Sequence, residues 1–544
     1  MPLLERSRRF NLGFLNIAQF GAIVNDNVYK LVMVFMLIEL YGPASSSTIL
    51  SIAGAIFVVP FLLFSSAAGV LADRHSKKWI ITILKMAEVA IFLTAIFVVR
   101  GKGPLSGPVL LYFLLFCLAT HSAIFGPSKY SIIPELVPAE KVPKANGLIT
   151  SCTYLAIILG TFLASFLSEL TDCRYVEVML ICLSLAVLGL LSAFCIQRTP
   201  RQGSTKKIHL FFLREIYLTL RGCRLEPHLL LVLCSSAFFL FIGSFTQLNI
   251  IPYALQALHL SEIYGGYLFL CTALGIAAGA FLVGKVLKRP IPLWIPCAAG
   301  FGVAFFLLAL YLFPSQLILV LAFLICLGIA GGMFVVPLDS FVQLGCSNET
   351  RGQVIAAGNF LGFCGVLLAS FLLYFMSNIL ELSAMAGFGV IGVLTLFYTV
   401  FLFFRLSDFT LPLLVKFIMR PMLTLELKDL TLLDLHSHTP LVLYQGSLLK
   451  CALITSVAPQ YHFVFIEEKS AAKRFFLRLF YSFRILDRTT QTHDLVKTKS
   501  ICFVLPQTTL PSFLPRHLTK VEIIPPLNAR EPILVRFTPS KKQD

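Results

Sequence analysis

Asn25-Asp26-Asn27, with Lys30 one helical turn later, gathers amides and opposite charges inside a stretch that is otherwise apolar. A charge in a membrane span costs roughly 2.5–3.5 kcal/mol on insertion scales, so it normally faces a cavity and finds a partner. Asp26 and Lys30 are four positions apart and can neutralise each other. Two uses fit: a polar wall that meets a headgroup or a coupling cation, or a fixed pair that locks one helix to its neighbours. Lys85 and Glu88 repeat the device at a spacing of three, and His121, Gln247 and Asn249 add isolated polar groups. Such isolated groups serve interhelical hydrogen bonds more often than ligands. If the wall is functional, its binding residues are Asn25, Asp26, Asn27, Lys30, Lys85, Glu88 and His121.

The decapeptide Gly69-Val70-Leu71-Ala72-Asp73-Arg74-His75-Ser76-Lys77-Lys78 is a short charged hinge between two long apolar runs. Its small residues let helices approach closely, and its basic residues hold the loop on one side of a membrane. Asp73 reads as a gate or as a helix cap. Gly69, Asp73, Arg74, Lys77, Lys78, Lys129 and Asp339 form the candidate gating set. Gly279-Ala280-Phe281-Leu282-Val283-Gly284-Lys285-Val286 mimics a phosphate loop, but Val286 stands where Ser or Thr should bind magnesium, and the run is part of a membrane helix. The fourteen cysteines are scattered with no Cys-x-x-Cys pair, so neither zinc nor a disulfide framework is indicated, and no cofactor is expected.

The elements that must position these residues are apolar blocks of 20 or more residues. With 57% hydrophobic and 13% charged residues, the chain is far from the composition of a soluble protein. Twelve spans are predicted, near 11–40, 46–72, 79–99, 107–127, 144–168, 175–197, 227–252, 263–287, 291–313, 315–338, 352–377 and 384–405. The first is too long and too polar inside for a cleavable signal. Loops 2–3, 4–5 and 8–9 carry Arg74, Lys77, Lys78, Lys129, Lys141, Lys144, Lys285, Lys288 and Arg289, whereas loops 1–2, 7–8, 9–10 and 11–12 carry no Lys or Arg. Loop 3–4, with Arg100 and Lys102, is a mild exception. The bias predicts both termini in the cytoplasm. The net charge of +17 therefore reflects loops beside spans and anionic headgroups, not nucleic acid.

Residues 198–226 form a basic linker between two six-helix halves, 1–197 and 227–405. Its middle reads as an amphipathic helix on the membrane surface. Phe125-Gly126-Pro127-Ser128-Lys129 with Lys144-Ala145-Asn146-Gly147 in the first half is faintly echoed in the second. There the runs are Phe334-Val335-Val336-Pro337-Leu338-Asp339 and Ala356-Ala357-Gly358-Asn359, at corresponding places. Beyond Arg405, residues 406–544 hold alternating apolar segments at 461–466, 501–505 and 533–537, with a basic helix at 470–483. This predicts a small α/β domain at the cytoplasmic face.

The 69–78 hinge resembles the loop between helices 2 and 3 of the major facilitator superfamily, and six spans, a basic linker and six more spans are that family's layout. Four stretches are more particular. They are Asn25-Asp26-Asn27, the run from Gly126 to Leu136, the Lys144-Ala145-Asn146-Gly147-Leu148 start of span 5, and Val335-Val336-Pro337-Leu338. Over residues 11 to about 405 these are similar to the bacterial lysophospholipid transporters of the superfamily. Lys30 stands where that family usually has a small residue. The resemblance implies an all-α polytopic twelve-helix fold of two pseudo-symmetric halves in a bacterial inner membrane. It also implies movement of lysophospholipid from outer to inner leaflet for re-acylation, with Asp73 pairing with neighbouring helix ends in one conformation and releasing them in the other.

Some relatives carry a glycerophospholipid acyltransferase domain, and the tail resembles a worn copy. Such enzymes use His, four residues, then Asp, the histidine serving as general base. The matching stretch is Thr439-Pro440-Leu441-Val442-Leu443-Tyr444-Gln445-Gly446, with proline for the base and glutamine for the aspartate. Ser482–Arg488 is better kept, Leu505-Pro506-Gln507-Thr508-Thr509 replaces the phosphate-facing block, and Ile523-Ile524-Pro525 fits the strand near the end of such domains. His436 and His438 lie nearby, but neither has an aspartate five positions on. No acyltransferase activity is expected; the tail could bind lipid or an acyltransferase partner, or be purely structural. Two rivals stand beside the transporter reading: an enzyme that still transfers acyl groups, and an ion-coupled porter of a soluble solute.

Overall fold

The computed structural model describes residues 2–410, apart from 43–44, 102–106, 172–173, 207–211, 227 and 261. Beyond 410 it describes 425–428, 441–444, 451, 454, 462–466, 483–486, 501–505, 518–524 and 533–540. Among these residues twelve helices are long and apolar enough to cross a membrane. The first half contains α1 (Pro2–Tyr41), α2 (Ser46–Arg74), α3 (Lys77–Arg100) and α4 (Pro108–Ser131). A single turn, α5 (Ile133–Leu136), then leads into α6 (Val142–Leu170) and α7 (Tyr175–Cys195). The linker holds α8 (Phe212–Cys223). The second half contains α9 (Leu229–Ala257), α10 (Glu262–Val286), α11 (Trp294–Leu312), α12 (Leu317–Gly345), α13 (Arg351–Tyr374) and α14 (Ala384–Arg405).

A hydrocarbon solvent leaves no partner for a free backbone group, so each crossing segment closes its own hydrogen bonds as helix. Each half then packs a dry core of its own. Val28, Met33, Phe92 and Leu115 sit in the first, and Phe245, Leu307, Leu324 and Phe388 in the second. A buried tyrosine on the first helix of each half donates its hydroxyl to a neighbouring carbonyl: Tyr29 to Leu111 at 3.1 Å, Tyr253 to Leu310 at 3.0 Å. Exposed rings such as Phe97, Phe162, Phe305 and Phe371 belong against lipid.

Three spans run several residues further than expected. α4 continues through Pro127 to Ser131, α9 through Pro252 to Ala257 and α12 through Pro337 to Gly345. An internal proline removes one helical hydrogen bond, and packed neighbours in a membrane bundle tolerate that loss. Lys129 and Asp339 therefore ride on helices and not on loops. The expected linker helix is present as α8, with Arg214 and Arg221 exposed beside exposed Leu213, Tyr217 and Leu218.

The chain divides into two compact units, 1–396 and 397–544, so the division falls inside α14 and not after Arg405. The second unit holds a seven-stranded sheet. Its strands are β1 (Leu425–Lys428), β2 (Leu441–Tyr444), β3 (His462–Ile466), β4 (Phe483–Leu486), β5 (Ile501–Leu505), β6 (Leu518–Ile524) and β7 (Ile533–Ser540). The order is β1-β7-β6-β2-β5-β3-β4, parallel except for β6 against β7. Central β2 and β5 bury Leu441, Val442, Leu443, Cys502 and Phe503, as a strand covered on both faces must. Phe483 opens β4 and does not end a helix; the expected helix at 470–482 lies outside the described residues. Pro440, Gln445, His436, His438 and the 506–509 stretch also lie outside them.

Candidate functional site

Asp73, at the end of α2, reaches across to a helix of the other half. Its carboxylate is fully buried and accepts from the backbone N–H groups of Gly352 at 2.7 Å and Gln353 at 3.0 Å, and from the Gln353 side-chain amide at 3.1 Å. These are first-turn amides of α13, whose own N-cap residue Thr350 makes no side-chain cap. An anion at a helix N-terminus satisfies orphan donors and meets the positive end of the macrodipole. The approach needs glycine on both sides. A Cβ on Gly69 would lie 2.7 Å from the Gln353 Cα, and one on Gly352 would lie 2.7 Å from Asp73 Oδ1. Lys206 of the linker reinforces the seam, its Nζ 2.7 Å from Gln353 Oε1.

The neighbouring residues of the hinge do other work. Lys77 is buried and pairs with Glu135 at 2.6 Å, within its own half, and Gln202 donates to the same carboxylate at 2.9 Å. Lys78 lies over the Trp79 ring, 4.5 Å from its centroid. Arg74 is exposed. Of the expected gating set, Gly69 and Asp73 make the seam between halves, while Lys77 and Lys78 brace the first half internally.

A second seam joins α6 to α10 and α12. Asn146 and Gln343 exchange side-chain amide bonds of 3.2 and 2.9 Å, Asn146 also donates to Ser340 at 3.0 Å, and Ser151 donates to the Ala277 carbonyl at 2.7 Å. The glycines of the false phosphate loop serve packing here. Gly284 meets Gly147, and a Cβ on Gly279 would lie 2.1 Å from the Ile329 carbonyl oxygen. The faint repeat gains a structural meaning. Asn146 reaches α12, the helix of Pro337, while Asn359 on α13 lies against Gly126 of α4, the helix of Pro127. Further along α2 and α13, Phe61 stacks on Phe363 with centroids 4.1 Å apart.

Between the two seams lies a cavity of about 280 Å³. Asp339, Tyr130 and Tyr154 line it together with Ile157, Leu240 and Val335. Lys129, buried beside it with its Nζ 4.9 Å from the Tyr130 ring centroid, interacts electrostatically with Asp339 and also with Asp26. Tyr130, Tyr154 and Asn359 were not expected as site residues. Tyrosine in an apolar span carries little signal, because its ring fits lipid and core equally well.

The charges of α1 and α3 sit deeper. Lys85 and Glu88 pair at 2.6 Å with no exposure, Asn25 donates to Glu88 at 2.9 Å and to the Cys182 carbonyl at 3.1 Å, and His121 Nε2 stands 3.7 Å from Glu88. Four helices, α1, α3, α4 and α7, meet at this cluster. Asp26 accepts from Ser122 at 2.5 Å, leaving its other oxygen buried without a partner. Asp26 and Lys30 form no ion pair among the described residues. Lys30 instead lies over Phe57, 5.2 Å from the centroid, and Asn27 bonds back to Ile23 at 2.8 Å. Among the described residues no group of three or more His, Cys, Asp or Glu is placed to hold a metal ion.

The chain is similar in sequence and in fold to known proteins. Lysophospholipid transporter LplT of Salmonella arizonae is 26% identical over 393 residues, 70% of this chain and 92% of the relative. LplT of Klebsiella pneumoniae is 27% identical over 354 residues, 63% of this chain and 81% of the relative. The fold is shared with the human organic anion transporter MFSD10 (TETRAN), at 16% identity and TM-score 0.56 over 73% of this chain and 99% of that one. It is also shared with a bacterial homologue of the iron transporter ferroportin in an outward-facing state, at 15% identity and TM-score 0.53 over 72% and 99%. Residues 15–370 match the Major Facilitator Superfamily, and with its twelve spans, two halves and helix-capping aspartate the chain is a membrane transporter belonging to that family.

Proposed function

We propose that this protein carries lysophospholipid across a bacterial inner membrane, from outer to inner leaflet, by alternating access, so that the lipid can be re-acylated. The observation that carries the reading is the cavity between the halves. Its lining combines carboxylate and phenol groups with aliphatic side chains, which suits a molecule with a polar headgroup and one acyl chain. The names of the relatives at 26–27% identity support the same cargo. In this reading both termini are cytoplasmic, the Asp73 seam closes the cytoplasmic end, and opening it breaks the bonds to Gly352 and Gln353.

Asp26, Asn27 and Lys30 meet the headgroup on its way, with Asp339 and Lys129 at the inner end of the path. Asn25, Lys85, Glu88 and His121 hold that wall from behind. The tail transfers no acyl group and serves as a docking platform for lipid or for an acyltransferase partner. Leaflet-specific uptake of labelled lysophospholipid into spheroplasts tests the proposal. Asp26→Asn, Lys30→Ala and Asp339→Asn should each cut uptake by about tenfold or more, the effect of ~1.4 kcal/mol. A folded, membrane-inserted preparation that moves no lysolipid would instead indicate a porter of a soluble solute. Acyl transfer by the full chain, abolished by Asp487→Asn or His438→Ala, would overturn the inactive-tail assignment.

A further inference from the structure

A second cavity, of about 430 Å³, opens away from the path between the halves, where the strap leaving α7 crosses the start of α3. His75, Trp79, Arg198, Thr199 and Arg201 line it. The strap is a built feature. Ile196 is buried, the Gln197 amide donates to Asn11 at 2.9 Å, and Thr199 accepts from the Lys78 amide at 3.4 Å and lies 3.2 Å from Ser76 Oγ. Ser76, the N-cap residue of α3, makes no side-chain cap of its own. The strap thus holds Arg198 and Arg201 over the positive end of a 24-residue helix.

Among the described residues no carboxylate pairs with His75, Arg198 or Arg201, and Glu135 is engaged by Lys77 and Gln202. Lys78, over Trp79 and 6.0 Å from the Phe194 centroid, adds a further positive charge on the same face. Guanidinium groups recognise phosphate through paired N–H bonds, and tryptophan sits at headgroup level in a bilayer. The cavity lies at a span end, with Trp79 in the first turn of α3.

We infer that this cavity seats the phosphate of an anionic phospholipid from the surrounding bilayer, separately from any transported cargo. The seat has a mechanical consequence. The same strap runs on to Lys206, which bonds Gln353, and Gln353 holds Asp73. A lipid fixed at the root of the strap favours the latched seam between α2 and α13.

The chain has two tryptophans, so Trp294→Phe leaves Trp79 as the reporter at the cavity rim. The full-length variant is placed in phosphatidylcholine nanodiscs containing brominated phosphatidylglycerol or brominated phosphatidylcholine at equal mole fraction. The anionic lipid should quench Trp79 preferentially, by about fivefold for each arginine engaged. Arg198→Gln/Arg201→Gln should abolish the preference, and Arg198→Lys/Arg201→Lys should keep most of it. Equal quenching by both lipids in the Trp294→Phe chain overturns the proposal, as does a preference that survives the glutamine pair. Inorganic phosphate added to the same nanodiscs separates the two sources of the anion. Displacement of the brominated lipid at millimolar phosphate means a free-anion site and overturns the lipid assignment, whereas persistence supports it.

Discussion

At the scale of single residues, Asp73 caps a helix that belongs to the other half, and this is the contact that opening the proposed gate would have to break. Asparagine at this position keeps one acceptor but turns a donor toward the α13 amides. Hydrogen bonds to a charged group contribute about 1.5–3 kcal/mol each, so Asp73→Asn should shift the balance toward the unlatched state by about 3 kcal/mol. Spin labels at exposed Glu140 and Glu349, on loops of opposite halves, would report this as a new longer distance; an unchanged distribution would refute it. The Lys85–Glu88 pair allows a different test. Lys85→Ala strands a buried carboxylate and should destabilise the fold by about 3–5 kcal/mol, whereas Lys85→Met/Glu88→Leu should be near neutral. If the double variant folds normally, as read from its melting temperature, yet loses lysolipid uptake, the pair serves the cargo and not only the fold. Asp26 and Lys30 still feel each other's charge but make no close ion pair, for a reason that spacing cannot reveal. Four residues on a helix permit an ion pair, but Ser122 and Phe57 come from other helices and take the two partners separately.

At the scale of elements, the spans were legible because bilayer thickness and backbone hydrogen bonding leave few alternatives to a long apolar helix. Their ends were less legible: spans 4 and 10 were expected to finish at or next to Pro127 and Pro337, yet both helices run on past them and carry Lys129 and Asp339 into the bundle. Which helices cross closely was hidden altogether. Gly147 looked like part of a helix start, and only the fold places it against Gly284 and the Ala280 carbonyl, where a Cβ would lie 2.5 Å away. Gly147→Ala should therefore wedge α6 from α10 at a cost of about 1–3 kcal/mol, the range for overpacked interiors. Gly54→Ala on α2, with nothing within 4 Å of the new Cβ, is the matched control. Melting temperature and lysolipid uptake should fall for the first and hold for the second; equal behaviour would mean that the α6–α10 seam is not tight in the membrane. Three of the seven tail strands, β3, β5 and β7, were legible from alternating apolar runs, but the order of the sheet was not, since parallel pairing depends on crossovers that local pattern does not encode.

At the scale of the whole molecule, the proposal that the seam at Asp73 is the cytoplasmic gate depends on which way the bundle sits. The packing of the two halves does not by itself mark which end faces the cytoplasm. Only the loop charges decide, through the preference of Lys and Arg for the cytoplasmic side. Two cysteines at the same end provide the measurement. Cys195 is exposed at the end of α7, close to the strap, while Cys223 is buried on α8 and burial pushes its thiol up to about 11. A raised thiol pKa means less thiolate at neutral pH, roughly one part in ten thousand for Cys223, with a gain of about tenfold per pH unit. Single-cysteine variants exposed to a membrane-impermeant maleimide should label at Cys195 in inverted vesicles and not in intact spheroplasts, whereas Cys223 should stay unlabelled in both near neutral pH. Labelling of Cys195 from outside would turn the bundle over: the Asp73 seam would become the outer gate, and the direction of lipid movement proposed for this chain would have to be argued again from that side.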